Sequence, residues 1–186
     1  EPTGLSLETL EAHREGVEYS PPRVGRRRQA GFGTPSGKVE FASAYLKDLG
    51  YDELPVYHRP AYRREPDAAR PFVLMTGARK LLYLHSRFRN IPRFRTAIPG
   101  PEVEMHPDDA AALGVADGDT VRLTSPIGAV DLPVKVVAEN EILPGNLQVT
   151  HGWREANVNL VTHDDRFDPV SGFPLMKSIE VSVQKV

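Results

Sequence analysis

From Pro71 onward the chain is cut into short apolar runs by turn residues, and this punctuation limits what it can fold into. Phe72-Val73-Leu74-Met75 stops at Thr76-Gly77, and Glu102 to Met105 is short and extended. Thr120 to Thr124 follows the turn Asp117-Gly118-Asp119, and Pro126-Ile127-Gly128 turns the chain into Ala129 to Val137. Leu143-Pro144-Gly145 leads into Leu147-Gln148-Val149, and Ser178 to Val183 ends the series. Runs this short, rich in β-branched residues and bounded by Gly and Pro, read as strands. His106 to Gly114 is the exception. Pro107 suits a first helical position, Asp108 and Asp109 suit the positive end of the helix dipole, and Gly114 suits the stop. Short strands, regular turns and one small helix predict a mainly β fold with short helices, closed or nearly closed into a barrel.

The residues before Pro71 have a different character. Leu5, Leu7 and Leu10 fall along one short helix, but Pro21, Pro22, Gly25, Arg26, Arg27, Arg28, Gly31 and Gly33 follow, with little to bury. Such a stretch predicts an extended or mobile arm over residues 1–35, or one laid across a partner domain. Thr34-Pro35-Ser36-Gly37 is a turn signal leading into Lys38-Val39-Glu40-Phe41, whose alternation predicts a short strand. Ala42 to Leu49 has helical spacing, with Gly50 at its stop, and the Pro-punctuated Leu54 to Tyr62 predicts an extended connection. The expected organisation is therefore an arm over 1–35, a linker with a short helix over 36–70, and the barrel over 71–186.

Composition removes several function classes. The 23 basic and 25 acidic residues nearly cancel, to a net charge of −2, which argues against a dedicated nucleic-acid binder. There is no cysteine, so these residues hold no disulfide, thiolate metal site or Cys nucleophile. No apolar run approaches the roughly 20 residues a membrane-crossing helix needs. Arg26–Arg28 precede Gln29, Ala30 and Gly31 and not an apolar segment, so they are not read as an export signal. Glu1 stands where a Met would begin a gene product, and the chain is expected to be a piece of something longer. No Gly-x-Ser-x-Gly elbow, phosphate loop or His pair at helical spacing appears, and Gly31-Phe32-Gly33 lacks the rest of a dinucleotide fingerprint. No self-contained catalytic set is visible.

Three polar segments carry what chemistry there is. Thr76-Gly77-Ala78-Arg79, followed by His85-Ser86-Arg87-Phe88-Arg89-Asn90, is a basic, Gly-containing loop directly after an apolar strand. A glycine there lets backbone approach a ligand, and amides with a nearby Arg can hold a phosphate; the alternative is a solvated basic loop. His151-Gly152-Trp153-Arg154-Glu155-Ala156-Asn157-Val158-Asn159 holds the single Trp and two Asn flanking a Val. If extended, it turns both amides to one side, where they can read a heterocycle edge. Trp153 either stacks on a ring or fills the core, the commoner fate of a lone Trp. Thr162 to Lys177 is a long polar loop whose Asp164, Asp165 and Asp168 lack calcium-loop spacing and suit capping better than metal binding.

In this order, TPSGKVEF at 34–41, FVLMTGARKLLYLHSRFRNIP at 72–92, EMHPDDAAALGVADGDTVRLTSPIG at 104–128, PGNLQVTHGWREANVNLVT at 144–162 and DPVSGFPLMK at 168–177 carry a resemblance. The chain resembles the C-terminal molybdopterin-dinucleotide-binding domain of the molybdopterin oxidoreductases, the dimethyl-sulfoxide-reductase superfamily. The resemblance implies a six-stranded double-psi β-barrel. It implies a cofactor, one or both halves of bis(molybdopterin guanine dinucleotide) carrying molybdenum or tungsten. It implies partners: the N-terminal domains of the same enzyme or a companion catalytic subunit, holding the metal ligand and any iron–sulfur cluster. The positions matching the family's cofactor contacts are Thr76, Gly77, Ala78, Arg79, His85, Ser86, Trp153, Asn157, Asn159 and Lys177. Many relatives read Thr-Gly-Arg without a break, whereas here Ala78 intervenes. A domain of this kind positions the cofactor, which carries the hard chemistry, and the isolated chain is expected not to be catalytic. The competing expectation is a double-psi barrel that has lost its cofactor and serves protein interaction.

Overall fold

The computed structural model describes residues 4–20, 24–59 and 67–186. The chain divides into two compact units, Glu1–His58 and Arg59–Val186.

The first unit is built from three short helices with no buried residue in any of them: α1 (Leu7–Ala12), α2 (Arg26–Ala30) and α3 (Ala44–Asp48). Each of the outer two has a serine N-cap. Ser6 accepts a hydrogen bond from the Thr9 amide at 3.1 Å, and Ser43 accepts one from the Leu46 amide at 3.2 Å, satisfying donors the helix leaves free. The strand expected at Lys38–Phe41 does not form. The segment is held by local bonds, Thr34 Oγ1 to the Lys38 carbonyl at 2.6 Å and the Phe32 amide to the Gly37 carbonyl at 3.1 Å. Alternation alone makes no strand without a neighbouring ladder, and side-chain-to-backbone bonds take its place. Of the expected extended connection, residues 54–59 have no regular structure, and 60–62 lie outside the described residues.

The second unit holds the barrel. Its strands are β1 (Phe72–Met75), β2 (Val103–Met105), β3 (Thr120–Thr124), β4 (Ala129–Val136), β5 (Asn146–Val149) and β6 (Ile179–Lys185). They close in the order β1-β5-β2-β4-β3-β6, with β6 returning to β1. Two pairs are parallel, β1 with β5 and β2 with β4, and the remaining four are antiparallel. This is the six-stranded double-psi β-barrel expected. Strict alternation builds its interior: Val130, Leu132 and Val134 of β4 point inward, while Ala129, Asp131, Pro133 and Lys135 face out. Leu74, Val103, Met105, Val121, Leu123, Leu132, Leu147, Val149, Ile179 and Val181 are fully buried, and every strand contributes to them. A fully buried aliphatic side chain contributes about 1.5–3 kcal/mol, so this interior is the main source of stability.

Among the described residues, two α-helices accompany the barrel. α4 (Pro92–Ala97) begins with proline at its first position, and Phe94 meets Tyr83 edge-on at 6.4 Å. α5 (Pro107–Leu113) is the helix read from the sequence. His106 ends β2 and caps α5, its Nδ1 accepting the Asp108 amide at 3.1 Å, and Gly114 stops the helix at φ +64°. Asp109 accepts the Gly145 amide at 2.7 Å, tying α5 to the turn that starts β5.

Candidate functional site

The strand pairing decides where the polar segments meet. β1 and β5 run parallel, with Met75 opposite Gln148, so the loops that leave them emerge at one end of the barrel. β6 runs antiparallel to β1 with Ile179 opposite Leu74, so the segment entering β6 arrives at that same end. The three polar segments of the sequence are therefore brought together by topology.

Their hydrogen bonds show how closely. The buried Thr76 donates from its amide to the Met176 carbonyl at 2.7 Å and from its hydroxyl to the same carbonyl at 3.2 Å. Its own carbonyl accepts from Nδ1 of the buried His151 at 2.7 Å, and His151 Nε2 lies 2.7 Å from His85 Nδ1. Gly152, at φ +88°, leaves room for the backbone of His85 and Ser86, because a Cβ there would stand 2.8 Å from the His85 carbonyl carbon and 2.9 Å from the Ser86 nitrogen. His85 itself holds a left-handed backbone at φ +53°. Arg89 locks the two loops, donating from Nη2 to the carbonyls of His85 at 2.9 Å and His151 at 3.1 Å. Its guanidinium lies 3.5 Å from the ring centre of Trp153 and 4.6 Å from that of Tyr83. Nε and Nη1 of Arg89 and Nε1 of Trp153 are buried without a hydrogen-bond partner.

Beside this junction lies a cavity of about 750 Å³, lined on one side by Gly77 and Arg79 and on the other by the return loop, including Asp165, Phe167, Asp168, Phe173 and Lys177. An added Cβ on Gly77 would meet Lys177 Cε at 3.7 Å, an ordinary contact, so the glycine is not forced by packing. The charged residues of its lining are Arg79, Arg166 and Lys177 together with Asp165 and Asp168. The Arg79 charge first, then burial and the neighbouring His151 and Arg87, push the His85 imidazole below its ordinary range. A second cavity, of about 640 Å³, runs behind Lys80, where burial opposes the ammonium but hydrogen bonds to Glu104 and Glu102 outweigh it and hold its pKa up. Lys80 and Lys135 in its lining are paired with Glu102 and Glu104, while Arg79 lines this cavity as well as the first.

The structure treats the expected contact residues unequally. Gly77, Arg79 and Lys177 line the first cavity, with the exposed Ala78 beside them. His85 and Ser86 are exposed at the junction, while Thr76 is buried in it. Trp153 is 2% exposed, edge-on to Tyr83 at 5.4 Å and covered by Arg89, so it belongs to the core and offers no open face to a ring. The segment is not extended through both Asn: Asn157 has an extended backbone, but Asn159 lies in a 3-10 turn (Val158–Leu160). Asn157 Oδ1 accepts the Asn159 amide at 3.1 Å, so that carboxamide serves its own backbone. Neither Asn lines either cavity. Asp168 caps a turn, accepting from the Ser171 amide and hydroxyl at 2.7 Å, and the Ser171 hydroxyl holds its carboxyl below the usual range. Among the described residues, no three His, Asp or Glu side chains cluster as metal ligands would. The sequence did not single out His151, Gly152 or Arg89 by themselves: the groups that His151 and Gly152 meet lie far away along the chain, and Arg89 joins the nearby His85 to the distant His151.

Comparison with known proteins places this geometry. Residues 72–180 match the family model described as the molydopterin dinucleotide binding domain, a span that runs from β1 to the start of β6 and includes all three loops. The chain belongs to this family. It is similar to acetylene hydratase of Syntrophotalea acetylenica, at 30% identity over 155 residues, covering 81% of this chain and 21% of that protein. It is also similar to the dimethyl sulfoxide/trimethylamine N-oxide reductase of Rhodobacter capsulatus, at 34% identity over 125 residues, 64% of this chain and 15% of that protein. The solved acetylene hydratase from Pelobacter acetylenicus superposes with a TM-score of 0.80 at 27% identity, covering all of this chain and 28% of that one. The chain thus spans about a fifth of the length of the curated relatives it matches. The ligand class that defines such a domain is a molybdopterin cofactor.

Proposed function

We propose that the chain is the C-terminal cofactor-binding domain of a molybdenum or tungsten oxidoreductase and that it holds one or both halves of bis(molybdopterin guanine dinucleotide). The observation that carries this reading is the convergence, at one barrel end, of the loop that leaves β1 and the loop that enters β6 around a cavity of about 750 Å³ with Arg79, Arg166 and Lys177 in its lining. The residues present fit the group. Its pyrophosphate is anionic, and Arg79 and Lys177 offer two cations beside Gly77, where no side chain stands between ligand and backbone. His85 and Ser86 supply hydrogen-bonding groups for the donor- and acceptor-rich pterin.

The remaining expected contacts take different parts. Thr76 and Trp153 act from beneath, fixing the loops, and Ala78 brings its backbone to the cavity edge. Asn157 and Asn159 reach a ligand only if the 3-10 turn presents them to one in the complete enzyme. When bound, the cofactor supplies the metal-centred redox chemistry, and the residues of this chain bind and orient it. Residues 71–186 form the cofactor domain, while the arm at 1–35 and the linker at 36–70 join it to the rest of the enzyme. The N-terminal domains or a companion catalytic subunit supply the metal ligand and any iron–sulfur cluster, which this cysteine-free chain has no thiolates to hold. Among the described residues, no helix is long and apolar enough to cross a membrane.

Titration of the chain with guanine nucleotide and with purified pterin cofactor, followed by calorimetry and Trp153 fluorescence, tests this function. Saturable binding that is lost in Arg79→Gln/Lys177→Gln is expected. Absence of binding by either ligand would overturn it in favour of a cofactor-free interaction module.

A further inference from the structure

The junction contains a chain of hydrogen bonds whose direction is determined by chemistry. It runs from the Thr76 carbonyl to His151 Nδ1, and from His151 Nε2 to His85 Nδ1, with both links at 2.7 Å. A carbonyl oxygen only accepts, so His151 carries its proton on Nδ1. In a neutral His151 the Nε2 is then a lone pair, and His85 must donate to it from Nδ1. A neutral His85 so fixed has its remaining nitrogen, Nε2, free of hydrogen. If the pair gains one proton, the direction of the inner bond no longer matters: either ring carrying the charge leaves His85 Nε2 as an N–H. Two extra protons would bring two N–H groups face to face at 2.7 Å, so the pair titrates as a unit that takes one.

We propose that His151 is a positioning residue that fixes the tautomer of His85, so that the outward Nε2 of His85 is a hydrogen-bond acceptor in the neutral pair and becomes a donor when the pair takes up a single proton. His151 is suited to this because it is 9% exposed and anchored on the buried backbone of Thr76, while His85 is exposed at the junction. The arrangement is clamped. Gly152 packs on the His85 backbone, and Arg89 holds the carbonyls of both histidines. The charged groups facing the pair are Arg79 and Arg87 of the loop after β1, which act on His85, and Arg89, whose own field is tempered by Glu155. The charges that act directly on His85 are positive and lower its pKa, which favours its neutral form, with Nε2 an acceptor.

The inference deepens the proposed function of the same site, since an acceptor suits the N–H edge of a pterin and a donor suits its carbonyl edge. Its test needs no cofactor, so it holds or fails independently of the cofactor assignment. Imidazole nitrogen shifts of the 186-residue chain, recorded by NMR from pH ~5 to ~9, report which ring nitrogen carries hydrogen. The expected spectrum at neutral pH shows both histidines with hydrogen on Nδ1 and bare Nε2. In His151→Asn, His85 is expected to revert to the Nε2–H form that free imidazole side chains favour, with Nδ1 bare. A wild-type His85 with hydrogen on Nε2 at neutral pH overturns the proposal, and that measurement stands even if the variant fails to fold. A His85 tautomer unchanged in a folded His151→Asn chain overturns it equally.

Discussion

Gly152 lies so close to the backbone of His85 that a methyl group on it would stand 2.8 Å from the His85 carbonyl carbon. Backbone cannot yield as a side-chain tip can, and φ at Gly152 is +88°, where an L side chain is strained as well. Gly152→Ala is therefore expected to destabilise the chain by about 2–3 kcal/mol, from overpacking and strain together. Urea unfolding should show a lower midpoint with an unchanged slope.

Gly77 makes the opposite case. Its added Cβ would meet only Lys177 Cε, at 3.7 Å. Gly77→Ala should leave stability within about 0.5 kcal/mol, as a substitution away from tight packing does. Gly77→Asp should leave the fold intact but block cofactor loading, because its carboxylate would stand where phosphates are proposed to lie and would engage Lys177. Molybdenum or tungsten content of the full-length enzyme carrying each variant is the measurement. Metal content equal to the parent in Gly77→Asp would contradict the phosphate assignment.

Arg89 spans two carbonyls and covers the face of Trp153 at 3.5 Å. Arg89→Ala should cost roughly 2–4 kcal/mol, from lost charge-assisted hydrogen bonds and the cation–π contact. Arg89→Lys should recover only part, because one ammonium cannot reproduce the planar fork. Trp153 fluorescence followed through denaturation reads both.

The charge of Arg79 is the first cause of the lowered pKa of His85. Arg79→Gln should raise it toward the ordinary value of 6.5, which an NMR titration of His85 measures. The sign for stability follows. A depressed folded-state pKa means the unfolded chain binds the proton more readily, so the folded state loses ground as pH falls from about 6.5 through the lower value. In Arg79→Gln that acid loss should shrink.

The barrel was legible in the sequence because its strands are short, alternate in and out, and end at turn residues; β4, with Val130, Leu132 and Val134 inward, shows the pattern cleanly. Lys38–Phe41 has the same alternation and forms no strand, because pairing is a property of neighbours and no neighbour is supplied there. α4 was missed because Pro92-Arg93-Phe94-Arg95 offers too few apolar positions to set a period. The site was legible in part. Gly77 and Arg79 stood out by residue type and position after a strand and Lys177 by the family resemblance, and all three line the first cavity. Asn157 was misplaced because a carboxamide can bond its own backbone, which a spacing argument ignores. His151 and Gly152 gave no local signal, since the groups they meet lie at Thr76 and His85, on a loop from another strand.

Every strand of the barrel has a neighbour on each side, β1 between β5 and β6 and β3 between β4 and β6. The ladder therefore presents no unpaired rim onto which a foreign strand might zip. Contacts of the barrel with another polypeptide therefore run through side chains and loop tips and not through an added strand.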